Sequence, residues 1–181
     1  MWGCGKKFPK KFPTPYLLTF DKKVENSYSA VGIKQEILMS INDFVAKAKA
    51  SKIGSDSVNI DGARHAYDIL PPTFEPNVPY FVGYPHGYLF ISEQVPESFR
   101  KAWLAHEIKC TAIREAGVTP YCVHAFEQEL KFVPKDIPVY LSMRKKMFDA
   151  LISYYKDSGS PEFMAEITRT RDRIVKMMTM Y

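Results

Sequence analysis

Two side chains suited to binding a borderline metal ion stand four residues apart in the stretch from Trp103 to Cys110, with the order His106-Glu107-Ile108-Lys109-Cys110. On a helix this spacing puts His106 and Cys110 on one face, on consecutive turns. An imidazole and a thiolate so placed suit two corners of a tetrahedral zinc site. Glu107 follows about 100° round the helix from His106, close enough to act as base on a metal-bound water. A third ligand has to come from a neighbouring element. The segment after Pro120 offers Cys122, His124, Glu127 and Glu129. Val123, Phe126, Leu130 and Val133 mark an apolar face there, and Glu127 falls between Val123 and Leu130. A carboxylate at the edge of an apolar face needs a cation, a set of donors or a metal. Glu127 is therefore the expected third ligand and His124 the next, with Cys122 and Glu129 on the other flank.

The elements that must position these groups can be read from periodicity and punctuation. Apolar residues at helical spacing from Ile33 to about Ala50 predict an amphipathic helix. Residues 52–79 are rich in Ser, Asp, Gly and Pro, which predicts a long loop of the kind that forms lids or binding surfaces. Aromatic runs at 80–83 and 88–92 flank a Gly/Pro turn and predict a β-hairpin. Pro96 and Glu97 open a helix that Gly117 stops at about Ala116. Shorter and longer helices are expected at 121–131, 138–156 and 161–180, the last capped by Ser160 ahead of Pro161. Tyr16 to Phe20 reads as a further strand. The expected architecture is one α+β domain over residues 16–181, helix-rich, with a small, mostly antiparallel sheet made of 16–20, 80–83 and 88–92.

The order of strand Tyr88–Ser92, short link, and helix carrying Ala105-His106-Glu107-x-x-Cys110 resembles the zincin metallopeptidases. Their signature is His-Glu-x-x-His on a helix beside an edge strand, and the gluzincin branch takes its third ligand, a glutamate, from a downstream helix. The run from His124 through Glu127 to Pro134 is similar to that downstream helix. The resemblance covers residues 80–134. It implies a zincin-like fold, a zinc ion on His106 and Glu127, Glu107 as general base, and peptide-bond hydrolysis with substrate added along Tyr88–Ser92. The chain departs from the signature at Cys110, where the family has its second histidine. A thiolate there adds negative charge and weakens the ion as a Lewis acid, as in a catalytically degenerate member.

Other readings compete with this one. Phe99, Trp103, His106, Cys110 and Ile113 share a stripe, which also describes an ordinary core helix with one bonded histidine and one inert thiol. A cysteine nucleophile, Cys110 or Cys122 activated by His106 or His124, is a third. The composition is globular, with 46% apolar and 25% charged residues in 181. Of the net charge of +5, the first 20 residues supply four lysines and no acid, so the remainder is close to neutral. Lys6, Lys7, Lys10 and Lys11, interleaved with Phe8 and Phe12, form a Pro-rich arm over residues 1–15. In the alternative class of function, a non-enzymatic interaction protein, this arm contacts nucleic acid or an acidic partner. Three cysteines (Cys4, Cys110, Cys122) are too few to staple a domain of this size, and no secretory signal or membrane span is recognisable. A reducing, cytoplasmic setting is expected.

Overall fold

The computed structural model describes residues 31–157 and 159–181, with side chains from Ile41 onward. The lysine-rich arm, the strand expected at 16–20 and Cys4 lie outside these residues. Helix α1 (Val31–Ser51) realises the first periodic segment. Its Ile41, Phe44 and Ala48 are buried, and Phe44 meets Phe74 edge-on at 5.3 Å and Phe90 at 5.9 Å.

The segment 52–79 corrects the expectation of a loop. Strands β1 (Gly54–Ile60) and β2 (Ala63–Leu70) pair antiparallel, with Ile60 opposite Ala63. Asp61 and Gly62 make the turn at φ of 50° and 83°, the left-handed pair that a two-residue hairpin turn requires. β1 is a largely exposed edge strand, so its Ser, Asp and Asn residues face water while the backbone is still paired. Polarity there reflects position in the sheet, not absence of structure. The prolines that argued against a strand begin only at Pro71, after β2 ends.

Strands β3 (Val82–Gly83) and β4 (Phe90–Ser92) complete a four-stranded sheet of order β1-β2-β4-β3. β4 runs parallel to β2 and antiparallel to β3, so two of the three pairings are antiparallel. β4 thus has a neighbour on each side, and the Leu89 carbonyl and Ser92 N–H are also used, by Asp68 and Phe81. Tyr88–Ser92 offers no free edge to a peptide, which corrects the expectation of substrate added along it. Gly83 is required for packing. A Cβ at that position would lie 2.6 Å from the Phe90 ring, which is fully buried among Phe44, Phe74 and Phe81 and cannot yield. Gly83→Ala should cost about 1–3 kcal/mol by overpacking, read as a lower urea midpoint at unchanged slope.

Helix α2 (Glu97–Glu115) ends as expected at Gly117, whose φ is 72°. The Val118 N–H bonds to the Ile113 carbonyl and the Gly117 N–H to Arg114, a Schellman ending. Helices α3 (Tyr121–Glu129), α4 (Ile137–Tyr155) and α5 (Pro161–Met178) follow within two residues of the expected bounds. Ser160 caps α5 by accepting from the Phe163 N–H. α2 packs on α3, α4 on α5 and α3 on α5, while α2 also touches the sheet. Lys109 of α2 pairs with Asp61 at the hairpin turn. The chain is a helix-rich α+β domain, and none of its described helices is long and apolar enough to cross a membrane.

Candidate metal centre

The stripe on α2 is buried as its spacing implies: Phe99, Trp103, His106 and Cys110 all lie in the core. On α3 the buried residues are Cys122, Ala125, Phe126 and Glu129, positions i, i+3, i+4 and i+7 of one helix face. This face differs from the one that apolar residues alone suggested. It brings Cys122 to the two groups on α2. His106 Nε2 stands 3.5 Å from Cys122 Sγ, and one ligand atom each of His106, Cys110 and Cys122 lie within 4.8 Å of one another. These three residues can hold a metal ion. In a tetrahedral zinc site the bond lengths set a nitrogen–sulfur edge of about 3.5 Å and a sulfur–sulfur edge of about 3.8 Å. The His106–Cys122 edge already has that length, and the other two edges are no longer than 4.8 Å.

The other side of the imidazole is held from α3 and α4. Glu129 Oε2 lies 2.6 Å from His106 Nδ1, and Glu129 Oε1 lies 2.9 Å from Arg144 Nε. Neither N–H points along its oxygen, so both are charge contacts and not straight hydrogen bonds. The straight bonds come from Tyr140, whose hydroxyl donates to Oε1 at 2.7 Å, and from Arg144 Nη2, which donates to Oε2 at 2.9 Å. The Arg144 guanidinium is fully buried and stacks over Trp103 at 4.4 Å and Phe148 at 5.1 Å. A carboxylate on the outer nitrogen of a ligating histidine fixes its tautomer and orientation, the usual outer shell of a metal site. Cys122 is fixed as well, because its N–H in the first turn of α3 donates to Glu166 of α5 at 3.1 Å.

Charge in this pocket is strongly organised. Burial by itself favours the neutral imidazole, but the adjacent Glu129 overrides it and pushes His106 up to about 10. The hydrogen bond from Cys110 lowers the Cys122 thiol well below its usual value, against the effect of burial and with help from His106. That same bond, together with burial, raises Cys110. Burial also raises Glu107 to about 7, opposed by His106 and Arg144. These directions favour a protonated His106 and an acidified Cys122. A metal ion would compete with protons for its ligands, so binding weakens as pH falls.

Glu107 lies beside the cluster, lining the same cavity as Tyr121, Met147 and Phe163. That cavity has a volume of about 20 Å³, room for a water molecule and no more. Glu127 and His124 are placed elsewhere. Glu127 is 42% exposed and pairs with Arg173 of α5 at 2.9 Å, and His124 faces solvent. The structure groups His106 and Cys110 with Cys122, which the helical wheel had put on the wrong flank for a ligand. The signal that could have found it is chemical: Cys122, unlike Glu127, is at home in a buried face. Comparison with protein-family models, with curated proteins and with solved structures finds no match for this chain.

Proposed function

We propose that this chain is a zinc-dependent hydrolase in which His106, Cys110 and Cys122 hold the ion and Glu107 serves as base. The observation that carries the reading is the convergence of three ligand atoms within 4.8 Å, with a glutamate on the same small cavity. Three protein ligands and one water are the pattern of catalytic zinc, whereas structural zinc takes four protein ligands. Charge supports a divalent ion. Two thiolates match its charge, and Glu129 is already balanced by Arg144. Thiolate and imidazole favour zinc over magnesium or calcium, which require oxygen ligands. A bound ion would supply Lewis acidity. Glu107, next to His106 on α2, would serve as the proton carrier between an attacking water and the leaving group.

The likeness to the zincins makes the peptide bond the first substrate to try. The filled edge at Tyr88–Ser92 removes one seat for an extended polypeptide, so short amides are the substrates to test first. The test is metal content of untagged protein, followed by cobalt substitution and hydrolysis assays on short peptides and simple amides and esters. One zinc per chain and thiolate-to-cobalt absorption are expected. Glu107→Gln should keep the metal and lose at least about a hundredfold in rate, the usual contribution of a general base. Metal retained with no hydrolysis by either protein would leave a purely structural ion, a reading that the burial of all three ligands favours.

A further inference from the structure

From the same sulfur atoms we infer that Cys110 and Cys122 are a redox pair, closing to a disulfide in the metal-free protein and held open by a bound ion. The two residues face each other across the α2–α3 contact, and their sulfur atoms lie within 4.8 Å. They are the two cysteines among the described residues, and each is buried. A disulfide requires a sulfur–sulfur distance of about 2.05 Å, whereas a tetrahedral zinc ion keeps two thiolates about 3.8 Å apart. One pair of sulfurs cannot satisfy both, so oxidation and metal occupancy exclude each other. Cys122 stands in the first turn of α3, only twelve residues beyond Cys110 in the chain.

The two sulfurs are not equivalent. Cys122 sits in the first turn of α3, at the positive end of the helix, with His106 Nε2 3.5 Å from its sulfur. Cys110 lies within α2, away from the helix N-terminus. With a hydroperoxide as oxidant, the Cys122 thiolate attacks the O–O bond. It becomes the sulfenic acid, and the leaving oxygen takes a proton to become water or an alcohol. The Cys110 sulfur then attacks the sulfenic sulfur, forming the S–S bond and releasing the hydroxyl as a second water. Two thiols lose two electrons and two protons in all, and the peroxide is reduced. The cavity beside the cluster is too small for bulky oxidants.

The disulfide half of the inference is independent of the zinc reading; the exclusion half rests on it. The experiment uses the full chain with Cys4→Ser, so that the pair holds the remaining thiols. Chelator-treated protein and zinc-loaded protein are exposed to hydrogen peroxide, then alkylated and measured by intact mass and non-reduced peptide mapping. The expected result is loss of two hydrogens, protection of both thiols and a Cys110–Cys122 linked peptide in the metal-free sample. Oxidation of the zinc form is expected to be at least about tenfold slower, with zinc released in step with thiol loss. In Cys110→Ser, a 1,3-diketone should trap the sulfenic acid on Cys122; in Cys122→Ser, Cys110 should remain unlabelled. Oxygen addition or full alkylation without a disulfide in the metal-free protein overturns the pair. Equal oxidation rates with and without bound zinc overturn the exclusion. Failure to take up zinc removes the function proposed above, and the metal-free arm then decides the redox pair alone.

Discussion

Cys122→Ser is expected to abolish stoichiometric zinc binding. A serine hydroxyl stays protonated near neutral pH and is a poor zinc ligand, so one of three corners of the site is lost. Loss of even an outer-shell partner commonly costs roughly 10–100-fold in metal affinity, and loss of a ligand should exceed the upper end of that range. Cys110→Ser should behave alike. Glu127→Gln and His124→Ala should leave affinity unchanged, because Glu127 pairs with Arg173 at the surface and His124 faces solvent. Competition against a chromophoric chelator measures all four. Unchanged zinc uptake in Cys122→Ser would remove it from the site, and a drop in Glu127→Gln would restore the ligand set expected from the apolar face of α3. The serine variants should retain the helical circular dichroism of the parent, since only one sulfur is exchanged for oxygen.

The second large effect concerns Glu129. Glu129→Leu leaves the Arg144 guanidinium without its carboxylate in a place with no access to water. Breaking one side of a buried ion pair costs about 3–5 kcal/mol, and at this chain length each kcal/mol lowers the melting temperature by about 2–4 °C. A fall of roughly 6–20 °C is expected. Glu129→Leu combined with Arg144→Met should recover most of it, because an apolar pair of similar volume avoids the desolvation of both charges. Metal affinity should not recover. His106 loses the group on Nδ1 that orients it in both variants, so affinity stays lower by roughly 10–100-fold. Stability that recovers together with affinity would mean that Glu129 serves the fold alone. Stability that recovers without affinity separates its two roles.

The helices were legible because each carries its own punctuation. The Schellman ending at Gly117, the Ser160 cap before Pro161 and the stripe of Tyr140, Met143, Met147, Leu151 and Tyr155 all depend on near neighbours in the chain. The hairpin of β1 and β2 was missed for a related reason. An edge strand satisfies its backbone through one partner and leaves polar side chains in water, so its composition resembles that of a loop. Asp61-Gly62 was the local evidence for it, and that evidence is conformational and not compositional. The parallel pairing of β2 with β4 cannot be read locally at all, since it joins segments separated by proline-rich chain.

By itself the sequence determined that His106 and Cys110 share a buried helix face with Glu107 beside them, because helical geometry fixes the directions of residues one and four positions apart. It determined the α+β class through the same local rules. Which face of α3 turns inward was decided only by tertiary structure. On so short a helix the apolar residues point to Val123 and Leu130, whereas the real inward face holds Cys122 and Glu129. Glu129 is tolerated there because Arg144 and Tyr140, brought from α4 by the packing of the helices, supply the opposite charge and the hydrogen bond that its burial demands. Turning α3 to bury that carboxylate delivers Cys122 to His106 and Cys110 and leaves Glu127 in water. The inward placing of Cys122 is set by a compensating charge from a distant helix, information that no window of sequence around Cys122 contains.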